Sequence, residues 1–299
     1  MLPRYAAWQS YLSVELFIVT IENHETNELA KAAIKKEESV TSLIIENHGA
    51  TRLIKINRPK VYNALTKEAK NELTSAIEMA GNDSSVRSIV LTAEGKAFCS
   101  GQDLNDRAVK GQGEQRPDLG HTLRTEWNPL ISSIRDCPKP VIGAINGVCA
   151  GAGLSVALAC DLRIAHPSAR FVSGFSKLGL CPDAGSTFTL TRALGGARTL
   201  EFFLFNRPFE AATMHQAGLV NTVDEQFLDT ALEWAQEINK MAPQAIQIIK
   251  ANVKLAAEHM FHEMIEVETS AQATLGASDD YQEGLAAFFE KRTPNFKGL

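Results

Sequence analysis

The run from Lys139 to Ser186, KPVIGAINGVCAGAGLSVALACDLRIAHPSARFVSGFSKLGLCPDAGS, constrains the fold more than any other part of the chain. Val141 to Ile145 reads as a buried strand. Asn146, Gly147, Gly151 and Gly153 then mark a glycine-punctuated turn, a short apolar helix follows, and Leu162 to Ala165 reads as a second strand. Glycine at this density serves a sharp backbone turn or the close approach of another group. The amides that open a helix have no partner inside it, so this corner is suited to receiving negative charge. One carboxylate, Asp183, sits in the loop beyond the second strand and is the candidate acid or base opposite that charge.

Strand and helix patterns alternate around this run, which places the chain in the α/β class with right-handed crossovers. SLIIENHG and ATRLIKIN predict a hairpin turning at Asn47 to Gly49. Ala69, Leu73, Ala76, Ile77 and Ala80 predict a helix from about Thr66 to near Gly81. SIVLTA, at 88–93, is apolar enough for a strand buried on both faces, and Leu130, Ile131 and Ile134 predict a helix before Pro138. Beyond Asp183, TFTLTRALGG, Arg198 to Phe205 and Phe209 to Ala217 read as helices, LVNTVD at 219–224 as a short strand, and 227–270 as helical, with Pro243 opening a new helix. The polar segment Asn105 to Arg124 carries three glycines and no periodicity, and is expected to be a flap over the substrate end of a pocket. The expected organisation is an N-terminal extension of unassigned role (1–40), a core carrying the site (41–240) and a C-terminal helical region (241–299).

A chain of 299 residues, 44% hydrophobic and 22% charged, has ample material for a large core. A net charge of -5 and a pI near 5.9 give no general attraction to nucleic acid or an anionic membrane, so partners must be argued from sites. The five cysteines form no CxxC pair and three lie in or beside apolar runs, as expected of reduced core residues in a cytoplasmic protein. No apolar run is long enough to span a membrane. Six glutamates within residues 1–40, Glu15 among them, weigh against a secretory or mitochondrial leader, and a surface appendage is expected there.

AINGVCAGAGLSVALACDLRIA, in company with NRPKVYNAL (57–65), KAFCSGQDL (96–104) and AAFFEKRTPNF (286–296), resembles the crotonase (enoyl-CoA hydratase/isomerase) superfamily over residues 41–299. SGQDLNDR, FSKLGLCPDAG and DDYQEGLAAFFEKRTPNFKG resemble its isomerase branches, which act on ring-1,2-epoxyphenylacetyl-CoA or on 3-enoyl-CoA. The resemblance implies a ββα superhelical spiral core with a C-terminal helical trimerisation region, and hence a homotrimer or dimer of trimers. It implies an acyl-CoA substrate, with coenzyme A as part of that substrate and no separate cofactor or metal. It places oxyanion-hole donors at the backbone N–H groups of Gln102 and Ala152. It places coenzyme A contacts at Lys60, Asn63, Ala64 and Leu65, and at Phe288 and Lys291, often supplied by a neighbouring subunit.

The two glutamates that crotonase hydratases use correspond, by the same resemblance, to Ser155 and Phe175, neither of which performs acid–base work. One carboxylate suffices for a 1,3-proton shift, and Asp183 stands where the isomerases carry theirs. An ordinary aspartate, with a pKa near ~3.9, is a poor base, so apolar walls are expected around it, supplied by Phe175, Leu178 and Leu180. The competing reading of Asp183 is a helix N-cap ahead of AGSTFTLTRAL. Surface solvation competes for the lysines. HMFHE, from His259 to Glu263, lacks metal-ligand spacing, Ser155 lacks a nucleophile elbow, and Asp161 is expected to shape a turn. The expected activity is isomerisation of a CoA thioester. The alternatives are hydration, a noncatalytic CoA-binding role, and dehalogenation, the last disfavoured by Phe175 and Asn128 where that branch carries tryptophan and histidine.

Overall fold

The computed structural model describes residues 41–107 and 117–298. The readings of residues 1–40 and of the middle of the polar segment lie outside them.

Strands β1 (Leu43–His48) and β2 (Thr51–Ile56) form the expected antiparallel hairpin. Helix α1 (Lys67–Asn82) begins where the Thr66 side chain accepts from the Ala69 N–H, and buries Ala69, Leu73, Ala76, Ile77 and Ala80. Strand β3 (Ser88–Ala93) is buried at every position, as its unbroken apolar sequence requires. Strands β5 (Val141–Ile145), β7 (Leu162–Ala165) and β10 (Thr222–Val223) continue the sheet in the order β1-β2-β3-β5-β7-β10, parallel from β2 onward.

A second sheet, β4-β6-β8-β9, consists of strands of two or three residues: β4 (Ala97–Cys99), β6 (Val148–Ala150), β8 (Arg170–Val172) and β9 (Phe209–Glu210). Each of β3, β5 and β7 is followed within a few residues by a strand of this second sheet. The chain therefore steps from one sheet to the other in a repeating ββα turn, the spiral core that the resemblance implies. One face of the large sheet packs Leu53, Val90, Ile142 and Ile164 against Ala231 and Ala235 of α6 (Phe227–Ile238). The other face joins a larger core that contains Ile54, Leu91, Phe98, Ile145, Leu154, Phe171 and Phe202.

Helix α2 (Asn128–Arg135) packs against α1 and against α3 (Ala152–Ala159), and α3 packs against β4 and β6. Helix α4 (Ser186–Phe205) is broken at Gly195 (φ 73°, ψ 165°), matching the two helical segments read from sequence. Three local expectations change. Phe209–Glu210 is strand, and only Ala211–Gln216 (α5) is helix. The strand expected at 219–224 is confined to Thr222–Val223. The described part of the polar segment is helical: a 3-10 turn at Leu104–Arg107, a single turn at Leu119–Thr122 capped by Asp118, and a π turn at Leu123–Trp127.

Helices α7 (Pro243–Leu255), α8 (Phe261–Gly276) and α9 (Asp279–Glu290) complete the C-terminal region. Lys250 of α7 pairs with Asp161 at 2.6 Å and also donates to the carbonyls of Ile134 and Lys139. Asp161 accepts from the Val141 N–H at 2.7 Å, so it anchors the start of β5. Burial pushes its pKa up, against the pull of Lys250. Among the described residues no helix is long and apolar enough to cross a membrane.

Candidate active site

At the glycine corner the segment after β4 meets both the 58–65 loop and the segment after β6. Leu65 forms a parallel bridge with Gln102: the Leu65 N–H donates to the Gly101 carbonyl at 2.8 Å, and the Leu65 carbonyl accepts from the Asp103 N–H at 3.0 Å. In this pattern the N–H of the bridged residue, Gln102, faces away from Leu65. On the other segment, the Leu154 N–H makes the first bond of α3, to the Gly151 carbonyl at 3.0 Å. The Ala152 amide lies ahead of that bond, among the donors that a helix start leaves without intrahelical acceptors.

Two glycines let these segments meet. A Cβ on residue 101 would lie 2.9 Å from the Ala150 carbonyl oxygen and 3.2 Å from the Ala152 nitrogen, and Gly101 has φ 94°. A Cβ on residue 153 would lie 2.2 Å from the Cys99 carbonyl oxygen. The peptides of Gln102 and Ala152 thus emerge from one main-chain contact that side chains would prevent. The helix dipole of α3 adds positive potential at the same place.

The loop carrying Gln102 is held from several directions. Arg58 pairs with Asp103 at 3.0 Å and also donates to the Ala64 carbonyl. Asn63 is fully buried in the left-handed conformation, φ 57°. Its Oδ1 accepts from the Arg58 N–H at 2.8 Å, and its Nδ2 donates to the Glu94 and Ala97 carbonyls at 2.8 and 2.7 Å. The Asn63 side chain is therefore committed to joining the 58–65 loop to the β3–β4 turn. Asn63, Ala64 and Leu65, the residues expected to contact coenzyme A from this loop, are all buried. Lys60 is exposed on the same loop.

Asp183 is partly buried, and its Oδ1 atom is buried. The N-cap of α4 is Gly185, which has no side chain to cap with, so Asp183 does not occupy the N-cap position itself. The Asp183 carbonyl accepts from Ser155 Oγ at 3.1 Å and from the Ser186 N–H and Oγ at 3.1 and 2.9 Å. Ser155 lies three residues along α3 from Ala152, roughly 4.5 Å along the axis. That short step sets the distance between the Asp183 loop and the amide corner. A cavity of about 300 Å³ opens against Ser155 of α3 and against Ala184 and Gly185, the residues that follow Asp183, with Ile131, Leu158 and Phe188 as apolar walls and Arg135 and Glu258 as polar ones.

Of the three apolar walls expected around Asp183, Phe175 is buried. Leu178 and Leu180 are 61% and 38% exposed in the isolated chain, because the 3-10 turn at Ser176–Leu178 carries them on the outer side of the loop. Phe288 is 76% exposed on α9, and Lys291 ends that helix in the left-handed conformation, φ 56°. Within one chain neither packs into the core. Sequence reasoning missed Arg58, Asp103, Lys70, Glu126 and Trp127 around the Gln102 loop. Only the burial of a lysine on the apolar face of α1 could have signalled any of them.

The spiral of paired strands, with the main chain at Gly101 brought against that at Ala152 where β4 and β6 end, is the crotonase-type core, and comparison with known proteins agrees with it. The chain belongs to the enoyl-CoA hydratase/isomerase family, whose profile matches residues 46–299, and it is a CoA-thioester enzyme of that family. The 1,2-epoxyphenylacetyl-CoA isomerase of Escherichia coli is 39% identical over 245 residues, covering 81% of this chain and 93% of that protein. The 2,3-dehydroadipyl-CoA hydratase of the same organism is 33% identical over 261 residues, covering 87% of this chain and 100% of that protein. The crystal structure of an enoyl-CoA hydratase from Bacillus anthracis superposes with a TM-score of 0.81 at 30% identity, covering 86% of this chain and 100% of that one.

Proposed function

We propose that the protein is an isomerase of CoA thioesters, moving the double bond of a 3-enoyl-CoA into conjugation or converting ring-1,2-epoxyphenylacetyl-CoA to oxepin-CoA. The observation that carries this reading is the placement of carboxylates. Ser155, 1% exposed, and Phe175, 6% exposed, fill the two positions where hydratases of the resembling family carry glutamates. Asp183 stands in the loop beside them. The likeness to the Escherichia coli isomerase supports the same reading.

With a 3-enoyl-CoA, the ionised Asp183 takes a proton from the α carbon. The C–H electron pair delocalises through the α carbon onto the thioester oxygen, giving a dienolate held by the Gln102 and Ala152 amides. The carboxylic acid so formed returns the proton to the γ carbon. Electrons flow back from the oxygen, the double bond settles between the α and β carbons, and Asp183 is an ionised carboxylate again. Each donor preorganised toward the developing oxyanion contributes roughly 3–4 kcal/mol to the transition state. Lys60 and Lys291 are the point charges for the phosphates of coenzyme A, with Phe288 beside its adenine end. The exposure of Phe288 and Lys291 fits a site completed by a second copy of the chain in a trimer.

The test is to incubate the purified protein separately with 3-enoyl-CoA, 2-enoyl-CoA and ring-epoxide CoA. Conjugation of the first, or oxepin formation from the last, without hydration of the second supports the proposal. Water addition to the 2-enoyl thioester as the dominant reaction overturns it in favour of hydration.

A further inference from the structure

Lys70 is the most unusual buried residue in the chain. It lies on the apolar face of α1, between Ala69 and Leu73, with no solvent exposure. An ammonium taken out of water costs several kcal/mol unless it is paired and hydrogen bonded, and a packed aliphatic residue would serve a core at least as well. What surrounds it is polar and specific. Its Nζ donates to Gln102 Oε1 at 2.8 Å and to Glu126 Oε2 at 2.5 Å, and stands 4.9 Å from the centre of the Trp127 ring. Trp127, 1% exposed, donates from Nε1 to the same Gln102 Oε1 at 3.1 Å. The carboxamide is closed off on its other side, where Nε2 donates to the Asp103 carbonyl at 3.2 Å.

The π turn at Leu123–Trp127 makes this network possible. Its wider winding presents two consecutive residues, Glu126 and Trp127, to one ammonium, and such single turns recur at functional sites. Lys70 and Trp127 both donate to the side chain of Gln102, a residue whose own N–H faces away from the Leu65 bridge. In a low-dielectric interior a fully satisfied network of this sort is rigid.

We propose that Lys70 and Trp127 are positioning residues for the oxyanion hole, gripping the Gln102 carboxamide so that the Gln102 peptide N–H is fixed before the thioester oxygen acquires charge. Glu126 neutralises the ammonium and holds it in place. The inference rests on the proposed role of Gln102 as an oxyanion donor and deepens it. It assigns a function to side chains outside the amide corner that touch no reacting atom.

The test reads carbonyl polarisation directly, in an Asp183→Asn background so that no turnover interferes. A conjugated 2-enoyl-CoA is bound, and the red shift of its thioester C=O stretch is measured by isotope-edited difference spectroscopy. The unaltered network should give a clear shift. Lys70→Met, Trp127→Phe and Gln102→Leu should each reduce it by about half or more, with thioester affinity changed by less than roughly threefold. In the enzyme with Asp183 intact, Lys70→Met should lower kcat by roughly tenfold or more with KM nearly unchanged. Since Lys70→Met strands Glu126, the pair Lys70→Met with Glu126→Gln is the variant to use should the single one fail to fold. A full shift in folded Lys70 and Trp127 variants overturns the positioning role while leaving the oxyanion hole standing. Absence of any shift with the network intact overturns the oxyanion reading itself, and this inference with it.

Discussion

The hydroxyl of Ser155 donates to the main-chain oxygen of Asp183 at 3.1 Å. A position where the resembling hydratases carry an acid is here spent on holding the backbone of the remaining acid. The Ser186 N–H and Oγ bind the same oxygen, so three donors converge on one carbonyl. Because two of them survive the change, Ser155→Ala should lower stability by about 1 kcal/mol, measured by urea unfolding, and kcat only a few-fold.

The contact between Gly153 and β4 admits no side chain. Gly→Ala inside a helix ordinarily stabilises by about 1 kcal/mol. Gly153→Ala should reverse that sign, because its methyl would stand 2.2 Å from the Cys99 carbonyl oxygen. The expected cost is about 1–3 kcal/mol in unfolding experiments, with a larger proportional loss of activity as the amide corner is forced open.

The C-terminal tail is tied down by charge. Arg292 donates to both oxygens of Glu283 at 2.6 and 2.9 Å, and the Asn295 N–H binds the same carboxylate at 2.7 Å. These bonds lower the Glu283 pKa from 4.5 to about 2. A carboxylate depressed in the folded state contributes stability above its unfolded pKa and loses it as pH falls through the folded one. The difference in melting temperature between the parent and Glu283→Gln should therefore be constant at neutral pH and shrink between pH 4.5 and about 2. A difference that grows on acidification would contradict the assignment.

The thiols should separate cleanly in a labelling experiment. Burial pushes Cys99 and Cys160 up to about 12 and raises Cys149 as well, whereas Cys181 is exposed two residues before Asp183. Iodoacetamide at neutral pH should modify Cys181 and spare the four buried thiols, Cys99, Cys137, Cys149 and Cys160, until the protein unfolds, as read by mass spectrometry of peptides. A bound acyl-CoA should slow that labelling.

The large sheet was legible because its strands are long enough to show a pattern: β3 is a continuous apolar run, and the β1–β2 hairpin turns at Gly49 and Ala50, at the edge of the Asn47 to Gly49 turn read from sequence. The second sheet was not, since β4, β6 and β8 have three residues each, too few for any alternation to register. Val148–Ala150 consequently passed for part of a glycine turn. The donor positions came from resemblance rather than from spacing. The residues that stiffen the corner come from distant segments, Lys70 from α1 and Trp127 from the π turn, and only tertiary structure brings them to Gln102. Leu178 and Leu180 looked like pocket walls because they are apolar, and in the single chain both are exposed rather than packed in the core.

The most direct measurement is the turnover of 3-enoyl-CoA by Asp183→Asn, made alongside the affinity of the same variant for the thioester. Removing a general base that acts at carbon should lower kcat by roughly 10²–10⁴-fold, while an isosteric exchange of one oxygen for an amide nitrogen leaves the dissociation constant within about threefold of the parent. Turnover by the folded variant within a factor of a few of the parent would contradict the role given to Asp183.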